Sequence, residues 1–297
     1  MNAPDNAPQA TDDLAELLAL SPGGPCRWIG HAPAALGNNT GGIFGGLLFG
    51  QAAAAAALTV ERPLHMMAAR FSRAGAPGKS IDYIVSEPLD GGSFSSRRIT
   101  ASQGDRLLAE FNASFQADEP GLDFDEGWND PPAPEGLPTL AEAAAEFDYL
   151  PKPTLRALSR MRGLEIRPIE ADALLSPGSN KPARIWVRVR ACLAARPDLW
   201  APAVGHLSDA MMAGPGVARH TFILNPDFFG TTLSHTLWLH RQADPSQWLF
   251  HEIACHWTGG GRTLNLGRLY TRDGRLLATN AQEALLRRRI PRGEAAR

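Results

Sequence analysis

No run of about 18 apolar residues occurs in this 297-residue chain, which removes a membrane-spanning helix from consideration. Cysteine is almost as scarce. Cys26, Cys192 and Cys255 are odd in number and far apart, so no disulfide framework is expected and a reducing compartment is favoured. The first residues, MNAPDNAPQATDD, lack the basic start and apolar core of a secretory signal, and a cytoplasmic location is the expectation. Charge of one sign is missing too: 29 Lys and Arg face 31 Asp and Glu, a net charge of −2. That balance excludes the concentrated basic surface that nucleic acid requires, and no membrane partner is expected either.

Several catalytic signatures are also missing. No G-x-S-x-G marks a serine nucleophile, and Cys255 has no neighbour that would activate it. The run Gly41-Gly42-Ile43-Phe44-Gly45-Gly46 lacks the Lys and Ser/Thr of a phosphate loop and reads as a turn allowing close packing. His251-Glu252 with His256 imitates a zinc-protease motif. Its histidines are five apart, however, and on a strand they point to opposite faces. Neither a metal nor a cofactor is expected.

What the chain does contain is an internal repeat. RRITASQGDRLLA (97–109) returns as RLYTRDGRLLA (268–278), each around a Gly turn at Gly104 or Gly274. LHMMAARFSR (64–73) has a looser counterpart in SHTLWLHR (234–241), and small-residue runs, GQAAAAAAL (50–58) and SDAMMAG (208–214), come before each. The order small helix, long strand, hairpin is given twice.

Around the repeat, residues 1–11 read as a disordered tail. Asp12 or Asp13 caps a short helix halted at Ser21-Pro22-Gly23-Gly24, and Trp28-Ile29-Gly30 reads as a first strand. Residues 47–60 predict a helix whose six alanines let other backbone approach on every side. Alternation and turn residues predict strands at 64–73, 80–88, 93–102 and 106–117. Later strands are predicted at 164–169, 185–191, 224–229, 232–241, 248–257, 263–271 and 276–288. The second small helix is placed at 206–212. The acidic, Pro-rich stretch 118–138 reads as a connecting segment; after it Thr139 can cap a helix, and another is expected at 154–160.

The reading is therefore α+β: two antiparallel sheets, each wrapped around a central helix, which is a double hot-dog. The domains are expected at 12–117 and 162–290, with a connector at 118–161. One chain should hold a pseudo-dimer with its two small helices related by an approximate two-fold axis. Phe228, Phe229, Trp238 and Trp248 suggest aromatic surface for a homo-oligomer.

Five passages resemble the acyl-CoA thioesterase II family: IFGGLLFGQA (43–52), FSSRRITASQGDRLLAEFNASFQA (94–117), LSDAMM (207–212), TLSHTLWLHR (232–241) and YTRDGRLLATNAQEALLR (270–287). The resemblance implies hydrolysis of acyl-CoA to free acid and coenzyme A, with Asp209, Thr232 and Gln282 as the catalytic set. Ser234 departs from the pattern, which usually has Asp before the strand histidine. Thioester hydrolysis needs an aimed water, a proton acceptor and donors for the oxyanion. Asp209, expected at the start of its helix, would accept the proton or polarise the water. Thr232 offers a hydroxyl, and Gln282, on a strand face with Asn280 and Ala284, an amide that can hold the water.

By residue type and spacing alone the favoured reading of the three is a helix cap, an ordinary strand residue and an exposed one, and only the resemblance reverses it. Gly45, Gly46, Gln51, His65 and Arg97 are the expected substrate-binding positions. Gln51 reads equally as packing beneath the Gly-rich loop, and a solvated sheet face is the favoured alternative for Arg97. Two further readings stand: a hot-dog enoyl-CoA hydratase or dehydratase, for which His206 lies three residues before Asp209, and a non-catalytic acyl-CoA or acyl-carrier binding protein.

Overall fold

The computed structural model describes residues 13–34, 41–159 and 163–289. The expected tail at 1–11, Arg160 at the end of the second connector helix and the boundary at 161–162 lie outside the described residues. In chain order the elements are α1 (Leu14–Leu18), β1 (Ser21–Gly24), β2 (Arg27–His31), α2 (Gly45–Ala57), β3 (Leu64–Phe71), β4 (Ser80–Asp90), β5 (Phe94–Gln103) and β6 (Arg106–Gln116). Then come α3 (Leu140–Ala145), α4 (Lys152–Ser159), β7 (Leu164–Pro168), α5 (Asp172–Leu175) and β8 (Ala183–Val189). They are followed by α6 (Trp200–Ser208), α7 (Gly214–Ala218), β9 (Phe228–Leu239), β10 (Leu249–Gly259), β11 (Arg262–Thr271) and β12 (Leu276–Arg288). No helix among the described residues is long and apolar enough to cross a membrane.

The twelve strands of the described residues form one sheet in the order β1-β2-β4-β5-β6-β3-β9-β12-β11-β10-β8-β7, and every recorded pair is antiparallel. Read outward from the centre, β3-β6-β5-β4-β2-β1 on one side mirrors β9-β12-β11-β10-β8-β7 on the other. The centre is the β3–β9 pair, with Ala68 opposite Thr236. The repeated hairpins turn at Gly104 (φ 58°) and Gly274 (φ 84°), a left-handed conformation that glycine adopts without strain.

Helix α2 is buried from Gly46 to Ala56, because its small side chains let α1, α6 and the strands of the first half close in all around. At Gly50 the approach is close. A Cβ there would stand 2.9 Å from the carbonyl oxygen of Pro202 on α6. Helix α6 begins well before the predicted residue 206, since Pro202 in a first turn removes no helical hydrogen bond. It ends at Ser208, and Met211, at φ 61°, keeps it apart from α7. The two strands predicted on either side of Gly230 are one strand, β9, and Leu224 (φ 57°) lies outside it.

The chain between the halves is held against the sheet. Trp128 packs on Trp186, Phe250 and Tyr270, and the Trp186 indole N–H donates to the Pro132 carbonyl at 2.7 Å. Arg241 pairs with Asp123 and Asp125, Arg268 with Glu126, and Arg272 with Glu135. Thr139 and Glu142 form a reciprocal capping box at the start of α3. Trp248, expected as pairing surface, is buried instead beneath the guanidinium groups of Arg188 (4.4 Å) and Arg167 (5.3 Å).

Candidate active site

Two helix ends meet where the halves touch. The first turn of α2 has no acidic residue, and its N-cap, Phe44, has no side chain that can accept a hydrogen bond. The missing acceptor comes from across the molecule: the Asp209 carboxylate takes the Gly46 backbone N–H. Asp209 does not begin its own helix as expected. It follows the last residue of α6, and the favourable helix N-terminus beside it is that of α2. Glycine is required at this junction. A Cβ on Gly45 would lie 3.0 Å from Asp209 Oδ2, and one on Gly46 would overlap the His206 carbonyl oxygen.

Strand β9 brings up the remaining groups through a β-bulge. His235 faces Gln282 and Ser234 faces Glu283, but Ala284 then pairs with Thr232, leaving Leu233 over. Thr232 and His235, three apart, would face opposite ways on a regular strand. The extra residue turns both toward Gln282. Thr232 Oγ1 donates to Asp209 Oδ1 at 3.2 Å and accepts from Gln282 Nε2 at 3.3 Å. Gln282 Oε1 lies 2.9 Å from His235 Nδ1, and His235 Nε2 lies 2.9 Å from Ser208 Oγ.

Burial sets the electrostatics. Asp209, 6% exposed, is pushed up to about 6 by desolvation, against the opposing pull of its hydrogen bonds from Thr232, Gly46 and Gln282. His235 and His206 are each lowered to about 4, and His251 to about 3, first of all by burial, so all three are neutral near pH 7. Behind the site, Asn280 Nδ2 donates to the Ser208 carbonyl at 2.9 Å, and His251 Nε2 lies 3.3 Å from Asn280 Oδ1. Among the described residues no group of three His, Cys, Asp or Glu side chains could hold a metal ion.

The structure thus brings together Asp209, Thr232, Gln282, Gly45 and Gly46. The other expected binding residues lie elsewhere. Gln51 is wholly buried: its amide donates to the Leu17 and His31 carbonyls and accepts from the Tyr83 hydroxyl, so it ties α2 to its neighbours and presents nothing to a substrate. Arg97, 2% exposed, does not lie on a solvated face. It donates to the Thr59 hydroxyl and carbonyl and to Asp90. His65, the bulged residue between β3 and β6, bonds to Ser114 at 2.7 Å and meets the Phe94 ring edge.

Ser208 and His235 were missed as members of the site. Their signals were adjacency to Asp209 and a three-residue spacing from Thr232, and the latter has meaning only once the bulge is known. The departure at Ser234 leaves His235 unaffected, because the His235 bonds run to Gln282 and Ser208.

Residues 34–116 match the family described as acyl-CoA thioesterase N-terminal domain, and residues 131–286 its C-terminal domain. Acyl-coenzyme A thioesterase 8 of Rattus norvegicus is 32% identical over 260 residues, covering 82% of this chain and 80% of that protein. Acyl-CoA thioesterase 2 of Haemophilus influenzae is 27% identical, covering 82% and 87%. An acyl-CoA thioesterase II from Mycobacterium marinum superposes with a TM-score of 0.75 at 25% identity, over 93% of this chain and 98% of that one. A protein from Alicyclobacillus acidocaldarius with a hot-dog fold does so at 0.72 and 19%, over 93% and 98%. With the large antiparallel sheet and its few helices, these neighbours identify the fold as hot-dog.

Proposed function

This chain belongs to the acyl-CoA thioesterase II family and is a thioester hydrolase, and from that premise we propose that it cleaves acyl-CoA with a water activated by Asp209, Thr232 and Gln282. The observation that carries the reading is Asp209: a buried carboxylate, raised to about 6, bonded by Thr232 and Gln282 at the mouth of α2. A base with that pKa is ionised at neutral pH yet takes a proton more readily than an ordinary aspartate. Asp209 accepts a proton from water as the oxygen attacks the thioester carbonyl carbon. The tetrahedral intermediate collapses with cleavage of the carbon–sulfur bond, the acid forms, and the proton leaves with the coenzyme A thiol. Thr232 and Gln282 hold the water, and the positive end of α2 faces the developing oxyanion. No side chain in the set is an activated nucleophile, so water attacks directly.

The mirrored strand order supports reading residues 12–117 and 162–290 as two hot-dog units paired within one chain, linked by 118–161. The site would then be composite, with Gly45 and Gly46 from one unit and Asp209, Thr232 and Gln282 from the other. Hydratase chemistry would need a basic imidazole beside the acid. Burial instead lowers His206 to about 4, which leaves it a weak base.

Thiol release from a panel of acyl-CoAs tests the proposal. Asp209→Asn should lower the rate at least about 100-fold. An unchanged rate in that variant would sink the mechanism. Tight acyl-CoA binding without turnover would favour a binding protein.

A further inference from the structure

We infer that His235 is a positioning residue which, as its Nδ1–H tautomer, locks the Gln282 amide with its nitrogen toward Thr232 and Asp209. The inference rests on the hydrolytic reading of those three residues. Its logic runs outward from the carboxylate. Asp209, when ionised, can only accept hydrogen bonds, so the Gln282 group that reaches toward it must be the amide nitrogen. That nitrogen also donates to Thr232 Oγ1, whose own proton goes to Asp209 Oδ1. The amide oxygen is thereby turned to His235 Nδ1, 2.9 Å away, and an oxygen there requires a proton on Nδ1.

A neutral imidazole with its proton on Nδ1 must accept at Nε2, and Ser208 Oγ stands 2.9 Å from Nε2 to donate. The result is a one-way row of donors: Ser208 to His235, His235 to Gln282, Gln282 to Thr232, Thr232 to Asp209. Every member except Thr232 is buried. The His235 ring is held from the far side by the edge of Phe49, at 5.1 Å on α2, so the first half of the chain clamps the device. The single Ser208 proton has the Gly205 carbonyl, also at 2.9 Å, as a competing acceptor and can serve only one of the two at a time, which makes its hydroxyl the dispensable end of the row. A flipped Gln282 amide would set oxygen against the carboxylate and leave its nitrogen unable to donate to Asp209.

Three variants and one spectroscopic measurement test this. His235→Leu removes the donor and frees the amide, and should lower kcat about 30-fold with KM within about twofold. His235→Asn places an amide N–H near the Nδ1 position and should restore kcat to within about threefold of the parent. Ser208→Ala should cost less than His235→Leu. In full-length protein labelled with 15N-histidine, the His235 resonances should show a proton on Nδ1 and none on Nε2.

An unchanged kcat in His235→Leu, an Asn variant no better than the Leu variant, or the Nε2–H tautomer would each overturn the inference. If His235→Leu does not fold, the tautomer decides alone. Asp209→Asn separates the two readings. If thiol release survives in that variant, the hydrolytic mechanism fails. If it is lost there but not in His235→Leu, only the role of His235 fails.

Discussion

On the proposed mechanism Asp209 works as an ionised carboxylate yet is buried, and it leaves two marks that move in opposite directions with pH. Because the folded pKa of Asp209 is raised to about 6 from 3.8, the native state holds its proton more tightly than the unfolded chain. Stability therefore falls as pH rises from about 4 to about 6, by roughly 2–3 kcal/mol. Over that same interval the base form appears, so kcat/KM should rise along an acid limb near pH 6. Asp209→Asn is expected to abolish activity and to raise the melting temperature at pH 7 to 8, since it removes a buried charge while keeping an oxygen for Gly46 N–H. A lower melting temperature at that pH would show that the hydrogen bonds outweigh the desolvation. Thr232→Val removes a bond that favours the ionised form, and the acid limb should move to higher pH with about a tenfold lower rate.

Gln51 makes the contrasting case. A glutamine on a helix of alanines looks like a functional group because nothing in composition distinguishes a binding amide from one that satisfies buried backbone. Its partners, the Leu17 and His31 carbonyls and the Tyr83 hydroxyl, come from three other elements and are visible only in the fold. Gln51→Ala should therefore cost about 3 kcal/mol in denaturant unfolding while leaving KM for acyl-CoA unchanged. A raised KM at unchanged stability would return Gln51 to the substrate.

Among the elements, legibility followed how local each cause was. The hairpins at Gly104 and Gly274, the capping box at Thr139 and the buried alanine helix rest on neighbouring residues and were readable. The single strand β9 was not. Gly230 imitates a break between strands, and the bulge at Leu233 is set by pairing with β12 some fifty residues later. The start of α6 was hidden by Pro202, which is harmless in a first turn. The acidic, Pro-rich stretch reads as a linker by composition, yet Trp128 inserts among Trp186, Phe250 and Tyr270. Trp128→Ala should lower unfolding stability by about 2 kcal/mol and leave the acid limb in place, because none of its contacts reaches Asp209. A change in the limb would couple the strap to the site.

At the scale of the whole molecule, the proposed site of Asp209, Thr232 and Gln282 implies that neither half can finish it alone. The Gly46 N–H that holds Asp209 and the Phe49 edge that holds His235 come from α2, while the carboxylate, hydroxyl and amide come from beyond residue 200. The halves also share the β3–β9 pairing and the close approach of Gly50 to Pro202. Cutting between them would bare a sheet edge and one face of a helix buried all round, a large apolar exposure. Residues 118–297 expressed alone should release no thiol from acyl-CoA. Co-expression with residues 1–117 should restore release, since the covalent connection supplies effective concentration rather than a catalytic group. Full activity in the 118–297 fragment would show that α2 is dispensable, and the composite site would fall with that result. Activity that returns in the mixture, and is lost again when the 1–117 partner carries Gly46→Ala, would show that the first half closes the site through the glycine that admits Asp209.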